Sequence, residues 1–150
     1  MSGIVVGVDG SANARSALEW AVGEAAAHRA PLTVLTVHEV SHSFWSGRPI
    51  VLSADDDQLL AAQAAAKELV DKAVSNLLGA AKPESVTVLA VNGSAAGELL
   101  AAADDASLLV LGARGGAQAG GLAAHTPIGS VSNKVLHQAK CPVVVVPAGD

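Results

Sequence analysis

Five short apolar runs dominate this chain: Ile4-Val-Val-Gly-Val8, Leu32-Thr-Val-Leu-Thr-Val37, Val86-Thr-Val-Leu-Ala-Val91, Leu108-Leu-Val-Leu111 and Pro142-Val-Val-Val-Val-Pro147. The first is wholly apolar and stops at Asp9-Gly10-Ser11, as expected of a strand buried on both faces and followed by a turn. Between the runs, apolar residues recur at helical spacing. They are Ala14, Leu18, Ala21, Val22 and Ala25, then Leu59, Ala62, Ala66, Leu69, Val70, Ala73 and Leu77, then Ala96, Leu99, Leu100 and Ala103, and last Val131, Val135, Leu136 and Ala139. Five strands alternating with four amphipathic helices exclude all-α and all-β architectures. The expectation is an α/β fold, an open parallel five-stranded sheet with right-handed crossovers and helices on both faces.

The 150 residues are read as one domain spanning 1–150, with no repeat and no linker. Hydrophobic residues make up 51% and charged residues 15%, enough apolar surface to exclude intrinsic disorder. Trp20, Phe44 and Trp45 are the only aromatic residues, so the core must be built from Ala, Val, Leu and Ile. Net charge is −5, which leaves no broad basic face for nucleic acid. Cys141 is the single cysteine, so neither an internal disulfide nor a cysteine-rich metal site is possible, in keeping with a reducing compartment. The amino terminus lacks a basic region ahead of its short apolar run, and the longest uncharged stretches are rich in Gly and polar residues. A cytoplasmic protein without membrane spans is expected. Ser11, and Ser53 with Asp56, are the expected helix caps, a helix is expected to start at Gly93-Ser94, and residues 39–54 are expected to form a long connection, a length that hints at function.

Ligands of open parallel sheets bind beyond the carboxyl ends of the strands, where the strand order reverses. Two segments there carry the right chemistry: Asp9-Gly10-Ser11, and Gly112-Ala-Arg114-Gly115-Gly116 continuing through Gly120-Gly121 to Gly129-Ser130 at a helix start. Glycines let backbone N–H groups line a concavity for anionic oxygens, and a helix amino end adds free donors. A phosphate cradle and an ordinary flexible loop with a helix cap are the two readings of this segment. No Gly-Lys-Ser/Thr follows, and Gly112-x-x-Gly115 is not a Gly-x-Gly-x-x-Gly fingerprint, so the familiar nucleotide motifs are absent.

Taken together, Ile4-Val-Val-Gly-Val-Asp-Gly-Ser11, the strand ending near Val37-His38, Leu108-Leu-Val-Leu-Gly-Ala-Arg-Gly115, Gly129-Ser-Val-Ser-Asn-Lys-Val-Leu136 and Cys141-Pro-Val-Val-Val-Val-Pro147 resemble the universal stress protein family of the UspA type. The resemblance covers essentially the whole chain. It implies strand order 3-2-1-4-5 in a Rossmann-like, adenine nucleotide alpha hydrolase-like fold. The ATP-binding branch of that family carries Gly-x2-Gly-x9-Gly-Ser/Thr. Gly112, Gly115, Gly129 and Ser130 match it in kind, but residues 116–128 put thirteen positions where the pattern has nine.

The resemblance implies an ATP site holding Mg2+ or Mn2+. In it the Asp9 carboxylate, with Gly10 and Ser11 behind it, meets the ribose or the divalent ion, and Gly112 lies by the ribose. Gly115, Gly129, Ser130 and Val131 serve the phosphates, and the chain at His38 and Glu39 lies beside the adenine, Glu39 replacing a commonly apolar residue. The resemblance also implies a homodimer in which the last strand, Val143, Val144, Val145 and Val146, pairs with its twofold mate. The function expected is a nucleotide-binding stress-response sensor or regulator. The alternative is a dimeric interaction module that has lost nucleotide through its longer loop. No general base, paired carboxylate or catalytic lysine stands near the phosphates, so at most slow ATP hydrolysis is expected.

Other candidates read more plainly. Arg114 and His125 are either ligand contacts or exposed loop residues. His38, Glu39 and His42 show no third ligand at metal spacing, and Ser132 is not in a hydrolase elbow. Cys141 reads as a structural thiol and Trp20 as packing surface. Phe44 and Trp45 either pack the long connection onto the sheet or form a flap over the adenine side. A phosphoacceptor domain would need an Asp after the third strand, where Val91-Asn92-Gly93 stands.

Overall fold

The β-branched runs form strands and the periodic segments form helices, in the computed structural model, which describes residues 3–8, 12–39, 41–113 and 130–147. In chain order the elements are β1 (Ile4–Val8), α1 (Ala12–His28), β2 (Pro31–Glu39), β3 (Ser41–Trp45), β4 (Arg48–Leu52), α2 (Asp56–Ser75), β5 (Ser85–Gly93), α3 (Ala95–Ala103), β6 (Leu108–Gly112), α4 (Ser130–Gln138) and β7 (Val143–Val146). Five strands make one parallel sheet in the order β5-β2-β1-β6-β7, with β1 central and Ile4 level with both Leu32 and Leu108. Numbered among themselves, these strands run 3-2-1-4-5. The reversal falls between β1 and β6.

Each face of the sheet has its own core. On one, α1 presents Ala14, Ala17, Leu18, Ala21, Val22 and Ala25, and α2 presents Ala66, Val70 and Ala73, to Ile4, Val6, Val8, Leu32, Val34 and Val110. On the other, Ala96, Leu99 and Ala103 of α3 and Val135 of α4 cover Val5, Leu35, Leu109 and Leu111. Alanine-rich helix faces bring the helix axes close to the sheet, so a small residue in a strand can become obligatory. Gly7 in β1 is such a residue: a Cβ there would stand 2.8 Å from Leu99 Cδ2. Among the described residues no buried side-chain polar atom lacks a partner.

Three expectations are corrected. The stretch 39–54 is not a structureless connection but an antiparallel hairpin, β3–β4, with Phe44 opposite Pro49 and Trp45 opposite Arg48. Its two-residue turn has Ser46 and Gly47 both at positive φ, 51° and 78°, the backbone that matches the twist of a tight hairpin. The cap of α2 is Asp55 rather than Ser53: its Oδ1 accepts from Gln58 N at 2.8 Å, and Gln58 Oε1 accepts from Asp55 N at 2.9 Å. Leu136, expected to face inward, is exposed. The helix expected to start at Gly93-Ser94 does so as α3, and Ser94 is its cap, its side chain accepting from Gly97 N at 3.2 Å. Ser11, the expected cap of α1, lies outside the described residues.

Candidate functional site

At the reversal, the end of β6 meets the beginning of α4. The Ser132 hydroxyl, buried in the first turn of α4, donates to the Gly112 carbonyl at 2.7 Å. Ala113 N donates to Val146 O at 2.9 Å, which fixes the exit of β6 from its other side. β1 runs alongside, with Val6 level with Val110. The first N–H groups of a helix have no acceptor within it and carry the positive end of its dipole. Backbone donors at the start of α4 are therefore gathered at the carboxyl end of β6, next to β1. Val131 is half-buried here and packs against the α3–α4 core.

Of the residues expected at this site, Gly112 and Val131 are brought together with the start of α4 at Ser130. Asp9, Gly10, Ser11, Arg114, Gly115 and Gly129 lie outside the described residues, as do the longer loop 116–128 and His125.

His38 and Glu39 form the exposed end of β2, level with Asn92 and Gly93 of β5. Glu39 Oε1 accepts from Ala95 N, the first residue of α3, at 3.2 Å. This carboxylate thus serves a helix amino end, where negative charge is favourable. That engagement explains how an acid is accommodated at a position the resemblance expects to be apolar. A residue not singled out as functional from the sequence stands beside it. The Asn92 side chain accepts from Ala54 N through Oδ1 and donates to Ala54 O through Nδ2, both at 2.8 Å. Its partner lies 38 residues away, so no local pattern announces the contact.

The remaining candidates carry little chemistry. Among the described residues, no group of three or more His, Cys, Asp or Glu is placed to hold a metal ion. Cys141 is partly buried, and desolvation pushes its thiol pKa up, with a backbone hydrogen bond at Leu109 opposing the shift. Among the described residues, no helix is long and apolar enough to cross a membrane.

Compared with known proteins, residues 1–147 match the family model described as the universal stress protein family. The chain belongs to that family. A curated universal stress protein of Mycolicibacterium smegmatis is 34% identical over 157 aligned positions, covering 99% of this chain and 49% of its own length. The chain thus spans about half of that relative. Among solved structures, the universal stress protein UspA from Lactobacillus plantarum superimposes with a TM-score of 0.75 at 23% identity, covering 97% of each chain. A universal stress protein in complex with cAMP gives 0.67 at 24% identity over 99% of this chain and 98% of its own. The Archaeoglobus fulgidus protein in complex with dAMP gives 0.58 at 24% identity over 97% and 98%. At these identities the likeness establishes the α/β fold of the family.

Proposed function

We propose that this universal stress protein binds an adenine nucleotide, ATP with Mg2+ or Mn2+, at the carboxyl end of the sheet between β1 and β6, and acts as a sensor or regulator rather than a fast enzyme. The observation that carries the reading is the hydrogen bond between Ser132 and Gly112. It holds the exit of β6 against the first turn of α4, so the two ends of the glycine loop face one space. Further support comes from the two family structures in complex with cAMP and dAMP.

The donor set fits such a ligand. Free backbone N–H groups at the start of α4 suit phosphate oxygens. The carboxylate of Glu39, on the base side, is turned to α3 instead. A divalent cation would arrive on the phosphates. Gly112, Gly115, Gly129, Ser130 and Val131 would then hold the phosphates and ribose, with Arg114 adding charge. Asp9, with Gly10 and Ser11 behind it, would meet the ribose or the cation. The backbone of His38 and Glu39 would border the adenine.

The same reading includes a cytoplasmic homodimer paired through β7. Among the described residues this strand pairs with β6 alone, and it carries four half-buried valines. An apolar edge of that kind is normally covered or paired. A thermal-shift titration tests the nucleotide reading: a rise in Tm with ATP and Mg2+ supports it. An unchanged Tm, together with no nucleotide extractable from the purified protein, favours a dimeric interaction module.

A further inference from the structure

The hairpin β3–β4 leaves the main sheet at Glu39 and returns at Ala54, and both roots are held at one level of that sheet. On the outgoing side Glu39 is level with Gly93, and its carboxylate takes the Ala95 amide. On the returning side the Asn92 carboxamide takes both backbone groups of Ala54, and Asn92 is level with His38. The fit is specific, because a planar amide offers one donor and one acceptor side by side, which neither a carboxylate nor an aliphatic side chain can do. Ala54 is buried, so its backbone groups depend on this partner.

The hairpin forms a two-stranded sheet of its own, separate from the main one. A lone two-stranded hairpin is marginally stable in water, so the contacts at its roots bear directly on its orientation. Helix α2 is fixed independently: Gln63 Nε2 donates to Val88 O at 2.7 Å, and Ala66, Val70 and Ala73 are buried against the sheet. Loss of the Asn92 contacts would therefore loosen the returning root of the hairpin while leaving α2 docked.

We propose that Asn92 is a positioning residue: by clasping Ala54 it fixes the β3–β4 hairpin beside the ends of β2 and β5, and so sets the base side of the nucleotide site. The latch rests on the two hydrogen bonds alone, and its effect on ligand rests on the nucleotide reading above. Asn92→Ala removes both bonds. Asn92→Asp keeps the shape but cannot donate to Ala54 O, so it serves as a second test should the alanine variant fold poorly.

Amide hydrogen exchange in the full chain reads the latch directly. Exchange in residues 41–52 should quicken in both variants, with β1 and β6 unchanged; unaltered protection of the hairpin overturns the latch. Calorimetric titration then reads the site. The Kd for ATP with Mg2+ should rise on the order of tenfold, while that for inorganic tripolyphosphate, which has no base, stays at the parent value. Equal ATP affinity in parent and variants, or parallel loss of both ligands, overturns the positioning role. A parent that binds no ATP overturns the nucleotide reading and the ligand half of this proposal, and the exchange result still decides the latch.

Discussion

The Ser132 hydroxyl and the Gly112 carbonyl, twenty residues apart in the chain, meet at 2.7 Å. The bond spans the mouth of the glycine loop, so whatever path residues 113–131 take, their two ends are held together. A surface loop pinned at its ends tolerates extra length cheaply, because closure entropy grows only slowly with residue number. For this reason the additional residues in 116–128 do not by themselves argue against a phosphate site.

Removing that hydroxyl should have a double effect. Ser132→Ala leaves the Gly112 carbonyl without its side-chain donor and should destabilise the fold by about 1–3 kcal/mol. Urea denaturation measures the loss, and ATP titration should show weaker binding in the same variant. Unchanged stability and affinity would mean the bond fixes nothing.

Charge placed inside the loop should separate binding from folding. Gly115→Asp adds bulk and a negative charge where phosphate is proposed to lie, so ATP binding should disappear while Tm stays at the parent value. Equal ATP affinity in mutant and parent counts against the cradle.

Glycine substitutions should move stability in opposite directions according to the space each Cβ would meet. At Gly7 it would lie 2.8 Å from Leu99 Cδ2, and at Gly3 it would lie 2.6 Å from the Pro31 carbonyl oxygen. Alanine at Gly7 should cost about 1–3 kcal/mol, and more at Gly3, where a backbone atom must yield rather than a side-chain end. Gly23, inside α1, meets nothing within 4 Å. Gly23→Ala should gain about 0.8–1 kcal/mol from helix propensity. Thermal melts of the three variants check the order.

Much of this was legible in the sequence, and the failures have physical causes. The strands and helices were readable because buried parallel strands are apolar runs and each helix carries a stripe of Ala, Leu or Val facing the sheet. The hairpin is hard to read because Ser46-Gly47 is a weaker turn signal than Asn-Gly, and Pro49 argues against a strand unless that strand lies at an edge. The α2 cap is ambiguous in the sequence because Ser53, Asp55 and Asp56 are all capable caps; the Gln58 side chain selects Asp55. At the site, Gly112 and the start of α4 are legible from their place at strand and helix ends. The partners of Glu39 and Asn92 depend on register between β2 and β5, which no local pattern encodes.

Edge pairing through β7 has its own test. Among the described residues, Val143 packs with one core and Val144 and Val146 with the other, while Val145 is in neither cluster. Val145→Lys should therefore leave the core intact while placing charge on the edge. Sedimentation should show dimers for the parent and monomers for the variant; monomers for both would remove the proposed interface.

Cys141 supplies a pH signature. With its thiol pKa raised by burial, less thiolate is present at a given pH than in a free cysteine, so alkylation should be slow and its pH profile displaced upward. The accompanying stabilisation is present below the unfolded thiol's pKa and is lost as pH rises through the folded one. Alkylation as fast as that of a cysteine peptide would contradict this.

Backbone amide shifts recorded by NMR during titration with ATP and Mg2+ test the central claim most directly. The account predicts saturable shifts at Gly112, Ala113 and Val131, with Asn76 and Leu78 at the far end of α2 unmoved. A titration that leaves the amides at the β6 exit and the α4 start unmoved, while ATP binds elsewhere or not at all, would contradict it.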